Sequence, residues 1–170
     1  MLAKSVSVFA AVLLVFGAVC FAAEEAPAKK YGQNEGEYLK PVTLKFAEGD
    51  RKLDTEALPN RSVFMLVSSV CTACRTELEE ITANMKEFKG KADLYAVIID
   101  IDPVAAIGRV RAKAPDVTLL ADSEYALGSR VNMISAPSTL IVEKDGKILY
   151  KKSGYNPGQW KEYARVLAGK

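Results

Sequence analysis

The sequence predicts an α/β fold, a central mixed β-sheet flanked by helices, and three observations predict it. Two apolar runs, Val63-Phe64-Met65-Leu66-Val67 and Ala92 to Ile101, have the character of strands covered on both faces, as parallel pairing requires. Segments of helical periodicity alternate with them, the order of an α/β domain. Asp145-Gly146, between Glu143-Lys144 and Lys147-Ile148-Leu149-Tyr150, marks a hairpin and hence antiparallel strands in the same sheet.

Composition narrows the function before any motif does. The 170 residues suffice for one medium domain once a leader is set aside, and nearly half of them are hydrophobic. A net charge of +2 argues neither for nucleic acid nor for an acidic substrate. The chain has no histidine, which excludes Ser-His-Asp and Cys-His catalysis and any His-ligated metal site.

Residues 1–22 read as a signal peptide. Lys4 is a short positive region, Val6 to Val19 is apolar apart from Ser7 and Gly17, and Cys20 and Ala22 offer a small pair for cleavage. The same run, over residues 5–23, is close to the length of an uncleaved membrane anchor. Lipidation at Cys20 is a third route, although Val19 is not the small residue such a signal wants before its cysteine. Each route exports the domain, and the pattern looks bacterial, so a periplasmic or other extracytoplasmic location is expected. Residues 23–38 mix Ala, Pro, Lys, Glu, Gln, Asn and Gly without apolar periodicity and read as a flexible linker. The domain then occupies residues 39–170.

Within the domain, Pro41 to Phe46 alternates like a half-buried strand, Glu48-Gly49-Asp50 turns, and Arg51-Lys52-Leu53 returns as its partner. Asp54 to Leu58 is expected as one helical turn stopped by Pro59-Asn60. The strand Val63–Val67 then runs through Ser68-Ser69-Val70 into Cys71-Thr72-Ala73-Cys74 and a polar helical segment. A dithiol at the start of a helix is where thiol chemistry belongs. The unpaired N–H groups and dipole there lower a thiol pKa from about 8.5 to roughly 3.5–7.5. The i, i+3 spacing also sets both sulfurs on one face, within reach of a disulfide. Zinc sites use this spacing too, but they need about four ligands. This chain offers no histidine and no second cysteine pair. If Cys20 leaves with the leader, these are the two remaining cysteines, and so close a pair would constrain the unfolded chain little as a structural staple. The pair is expected to be redox-active.

At about 100° per residue, Cys74, Leu78, Ile81, Met85 and Phe88 lie within about 40° of one line, with Glu79, Lys86 and Glu87 pointing away. Glu77 lies about 60° from that line, at the border of the buried face. It is either a solvated glutamate or a partly buried acid, raised in pKa, that exchanges a proton with the second thiol. Gly90 is expected to end the helix.

The strand Ala92–Ile101 follows, then a helix capped by Asp102 with Pro103 at its first position. Val104, Ile107 and Val110 are expected inward, with Arg109, Arg111 and Lys113 as a solvated face. Val117 to Leu120 is a short strand, and Asp122 caps a helix to about Arg130. Pro137 opens the apolar strand that leads to the Asp145-Gly146 turn. A last helix is expected with Asn156 as cap, Pro157 first, and Trp160, Tyr163, Ala164 and Leu167 as its buried stripe.

Four features of residues 41–170 together resemble the thioredoxin-fold proteins, in particular the exported TlpA-like and ResA-like branch. They are the strand entering Cys71-Thr72-Ala73-Cys74, Glu77 three residues on, the Pro137-Ser138-Thr139-Leu140-Ile141-Val142 strand start, and the Asp145-Gly146-Lys147-Ile148 hairpin with its closing helix. The resemblance implies a three-layer thioredoxin-like fold and thiol–disulfide oxidoreductase activity. It implies that Cys71 is the exposed nucleophile, Cys74 the resolving thiol and Glu77 the acid tuning Cys74. It further implies that Pro137 is a cis-proline facing the dithiol and that the Ala136 backbone pairs with substrate. No cofactor is implied beyond the Cys71–Cys74 disulfide, and no metal. The implied partners are exported cysteine-containing proteins, with apocytochrome c as one candidate, and a membrane thiol electron donor. A monomer is expected. The chain departs from many relatives at Val70, where they carry tryptophan, and at Ala73, where they carry proline. Potentials in this fold span about −270 to −120 mV, so the Thr72-Ala73 pair leaves the direction of electron flow open.

Two other functions remain. A thiol peroxidase of related fold is one, although a Cys-x-x-Cys pair is not its usual site. A non-enzymatic binder or scaffold holding a structural disulfide is the other. A copper carrier of this fold would add a distal histidine, which the chain lacks.

Overall fold

The computed structural model describes residues 28–169; the leader, with Cys20, lies outside them. No helix among the described residues is long and apolar enough to cross a membrane. Short strands β1 (Tyr31–Gly32) and β2 (Tyr38–Leu39) precede β3 (Thr43–Phe46), β4 (Lys52–Asp54) and β5 (Ser62–Val67). Helix α1 (Thr72–Ala83) leads to β6 (Asp93–Ile98), α2 (Pro103–Arg111), β7 (Thr118–Ala121) and α3 (Ala126–Arg130). Strands β8 (Ser138–Val142) and β9 (Ile148–Ser153) and helix α4 (Trp160–Leu167) close the chain.

The sheet has the order β4-β3-β7-β6-β5-β8-β9. Its centre is parallel, β5 with β6 and β6 with β7, and its outer pairs are antiparallel. The continuous apolar runs explain this, since β5 is buried at every residue. Alternate side chains serve opposite layers. Val63, Met65 and Val67 pack with α1, α2 and α4, whereas Phe64 and Leu66 pack with α3 and the segment around Leu39 to Leu58. The expected α/β fold, a mixed sheet between helical layers, is what forms.

Several expectations are corrected. The second half of the linker is part of the fold: Gly36 N donates to the Ile148 carbonyl at 2.8 Å and Ile148 N to the Glu37 carbonyl at 2.8 Å. Composition hides this because the contacts are made by backbone. Asp54 ends β4 and residues 55–57 form a turn, not the expected helical turn. The Thr55 hydroxyl is drawn inward to accept from Val42 N at 2.9 Å, and Asp54 caps Glu56 N. Helix α1 stops at Ala83, because the Asn84 side chain takes the Glu80 carbonyl. A 3-10 turn over Met85–Glu87 then carries Phe88 into the core. Gly90, at φ 76°, turns the chain beyond it.

Strand β6 ends at Ile98, not at Ile101. Its partners leave there, β5 into the cysteine loop and β7 at Ala121, and Ile101 is 96% exposed. Asp102 does cap α2, accepting from Ala105 N at 3.1 Å. Its inward residues are Ala106 and Val110, with Ile107 half-buried, while Val104 faces out. Arg109 is exposed, but Arg111 and Lys113 are tied down, pairing with Glu48 and Glu79 at 3.1 and 2.6 Å. Asp122 serves α3 as expected, accepting from Ala126 N and Leu127 N at 2.7 and 3.0 Å. Helix α4 begins at Trp160, not at Pro157. Gly158 is left-handed at φ 78°, so residues 156–159 form a separate turn closed by Gln159 N on the Asn156 carbonyl. In α4 Tyr163 and Leu167 are buried, with Trp160 and Ala164 half-buried.

Candidate active site

Strand β5 is pinned on both sides, so its C-terminal end has a defined place from which the next loop departs. Asp100, just past β6, holds that loop. Its carboxylate accepts from Ser69 N at 2.9 Å, Ser69 Oγ at 2.8 Å and Ser68 Oγ at 3.3 Å. Cys71 N donates back to the Ser68 carbonyl at 3.1 Å, and the chain turns sharply into α1.

Cys71 is the N-cap of α1, and its sulfur accepts from Cys74 N at 3.1 Å. The two cysteines are disulfide-bonded with Cα atoms 5.2 Å apart, within the usual span for such a bond. They differ in access. Cys71 is half-buried and Cys74 is 1% exposed, so an incoming sulfur meets Cys71 first. On reduction, the N-terminal dipole of α1 favours a thiolate at the capping position.

Glu77 lies one turn beyond Cys74 and is 1% exposed, deeper than its border position on the helix implied. Its Oε1 accepts from Tyr163 OH at 2.7 Å and Thr139 Oγ1 at 2.8 Å. Its Oε2 is buried with no partner among the described residues. Burial pushes the Glu77 carboxyl above its ordinary range, with the Glu80 charge adding to that, while the Tyr163 and Thr139 hydrogen bonds pull it down. Burial dominates. A buried acid whose pKa is raised is better placed for proton exchange at neutral pH than a solvated one.

That shift has a consequence for stability. Between the unfolded carboxylate value and the raised folded one, the native state binds more protons, so stability falls as pH rises through that window. The Glu77→Gln variant is expected to lack this slope. Denaturant midpoints of the oxidised protein at about pH 4 and about pH 8 measure it. Parallel pH dependence in variant and parent would show that the carboxyl is not raised.

The Ala136–Pro137 bond is cis. The β5–β8 register, with Leu66 opposite Ser138, sets Pro137 at the end of β5 from which the cysteine loop departs. Ser138 Oγ donates to the Ser135 carbonyl at 2.7 Å, fixing the approach to that bond. Pro137 is buried and Ala136 half-buried against both core layers. The structure thus brings Cys71, Cys74, Glu77, Ala136 and Pro137 to one end of the sheet. Thr139 and Tyr163 escaped sequence reasoning as site residues. Thr139 lay inside an apolar strand and Tyr163 on a packing stripe, and only a hydroxyl at each distinguished them.

Four exposed apolar side chains lie at this end, Val70, Ile101 and Ile134 on loops and Val104 in the first turn of α2, at 76%, 96%, 71% and 75%. A groove of about 390 Å³ runs between the cysteine loop and the start of α2, its walls mixing Val70, Ile99 and Ile101 with Asp100, Asp102 and Arg109.

Solved structures share the fold at low identity. A protein assigned as the thiol:disulfide interchange protein DsbE of Chlorobium tepidum matches at TM-score 0.68 and 16% identity, over 81% of this chain and 98% of that one. A secreted Mycobacterium tuberculosis disulfide oxidoreductase homologous to E. coli DsbE matches at 0.56 and 18%, over 76% and 96%. The mitochondrial 2-Cys peroxiredoxin of Plasmodium falciparum matches at 0.65 and 13%, over 80% and 93%. No curated protein matches the chain in sequence. The Redoxin family model matches residues 34–167, nearly the whole described domain; the chain belongs to the Redoxin family and is an oxidoreductase of thioredoxin-like fold.

Proposed function

We propose that this protein is an exported thiol–disulfide oxidoreductase acting on protein disulfides. The observation that carries the reading is the asymmetric pair: Cys71 open to a partner at a helix start, Cys74 buried behind it one turn from a buried acid. In the reducing direction the Cys71 thiolate attacks a substrate disulfide. A bond forms between Cys71 and one substrate sulfur, and the other leaves as a thiolate. Cys74 then gives its proton to the Glu77 carboxylate and attacks Cys71 Sγ. The Cys71–Cys74 disulfide closes, the second substrate thiolate departs, and two electrons have passed to the substrate. The same steps reversed oxidise a dithiol.

The exposed Val70, Ile101, Val104 and Ile134 side chains favour an unfolded or extended partner with apolar residues near its cysteine. The Ala136 backbone beside the cis Pro137 is the natural edge for such a segment to pair with. Residues 1–22 act as the export signal, or residues 5–23 as an anchor, with the fold from Tyr31 onward as the working domain. The partners are exported cysteine-containing proteins, apocytochrome c among the candidates, and a membrane thiol donor that returns electrons. The protein works as a monomer, and its redox group is its own disulfide.

The test is a trap. The Cys74→Ala variant, expressed in its host, is expected to remain covalently bound through Cys71 to exported cysteine proteins. Recovering none, with the wild type inactive on a protein disulfide such as insulin's, overturns the reading. The fold shared with a peroxiredoxin supports a second reading, a thiol peroxidase in which Cys74 resolves a Cys71 sulfenate. Turnover of peroxide faster than of protein disulfides would select it.

A further inference from the structure

The hydrogen bonds around Glu77 have directions that one unambiguous donor decides. The backbone N–H of Asn156 donates to Gln159 Oε1 at 3.0 Å. A backbone N–H cannot accept, so the amide of Gln159 is oriented, with Oε1 toward Asn156. Its Nε2 therefore faces Tyr163, donating to the phenol oxygen at 2.9 Å. Tyr163 receives that bond and is left to spend its own proton on Glu77 Oε1. Thr139 Oγ1 reaches the same oxygen from β8. Both donors thus converge on Oε1, and a proton carried by the carboxyl has one place to sit, the unpartnered Oε2.

The geometry points to Tyr163, oriented by Gln159, and Thr139 as positioning residues that lock Glu77 Oε1 as an acceptor and reserve Oε2 for proton exchange beside Cys74. Gln159, 6% exposed, and Tyr163, fully buried, are shielded from water that would otherwise scramble these bonds. Burial and the Glu77 charge push the Tyr163 phenol well above its ordinary value, so it stays a donor throughout the working range. The other titratable groups bearing on Glu77 are Glu80 on the same helix and Tyr155 before α4. Tyr155 is raised chiefly by burial, with Glu80 and then the Glu77 charge adding to that. Thr139 stands two residues beyond Pro137, so the acid is tied to the segment proposed to bind substrate as well as to α4.

This inference rests on the proposed exchange chemistry, and its test separates the two. The Glu77 side-chain carboxyl is titrated by carbon NMR, and the pH profile of insulin-disulfide reduction is measured, for wild type, Tyr163→Phe, Thr139→Val and Tyr150→Phe. A hydrogen bond to a charged group is worth about one pH unit. Tyr163→Phe and Thr139→Val are each expected to move the Glu77 titration and the exchange profile upward by about that much. Tyr150→Phe removes a phenol whose proton goes to Glu162 and which takes only a longer, 3.5 Å contact from Gln159 Nε2, and is expected to move both by less than half as much. If Tyr163→Phe does not fold, Thr139→Val, nearly unchanged in shape, decides alone. The inference is overturned if Glu77 titrates unchanged in both variants, or if Tyr150→Phe moves it as far. A wild type that reduces no disulfide while its carboxyl responds as described sinks the exchange reading and leaves this one standing.

Discussion

Replacing Cys71 by serine is expected to abolish thiol–disulfide exchange, lowering turnover by roughly 10³-fold or more. Serine has no accessible anion at neutral pH, and Cys74, at 1% exposure, cannot take over as the attacking group. The fold has little reason to fail. Serine is a favourable N-cap, and the loop closed by the disulfide is short, where cross-linking constrains the unfolded chain least. Insulin-disulfide turnover beside a far-ultraviolet dichroism spectrum measures both. A folded variant within tenfold of wild type would remove Cys71 from the nucleophile's role.

The largest effect on stability is expected from Phe64→Ala, a loss of about 3–5 kcal/mol. Phe64 is wholly buried in β5, between β6 and β8, and stacks on Tyr95 with ring centroids 5.1 Å apart. Native domains hold about 5–15 kcal/mol in total, so this one side chain carries a large share. Because the cysteine loop hangs from the end of β5, exchange activity is expected to fall at the denaturant concentration where the variant unfolds. Equilibrium denaturation of both proteins gives the difference. A change below about 1 kcal/mol would mean the site collapses around the missing ring.

The elements that were legible from sequence were those whose signal is local. The run Val63–Val67 reads as a buried strand and Asp102-Pro103 as a helix start, and the fully buried β5 and the Asp102 cap on Ala105 N bear both out. The turn at Asp145-Gly146 demanded a left-handed glycine, and Gly146 sits at φ 88°. The misses occurred where an apolar letter had two meanings. Ile101 and Val104 fit strand and helix patterns, yet they lie past the point where β6 has neighbours, and the fold leaves them in water. Likewise Asn156-Pro157 had the chemistry of a helix start, but Gly158 bends the chain once more before α4 begins.

Sequence alone determined that two cysteines stand at a strand-to-helix junction with a glutamate one turn on, because strand, cap and i, i+3 spacing are all written within some twenty consecutive residues. Only the tertiary structure decided what that glutamate is. Its two donors, Thr139 and Tyr163, lie 62 and 86 residues away in the chain. The depth that raises its pKa comes from β8 and α4 closing over α1. Burial and long-range hydrogen bonds are properties of the packed molecule, and no local pattern encodes them.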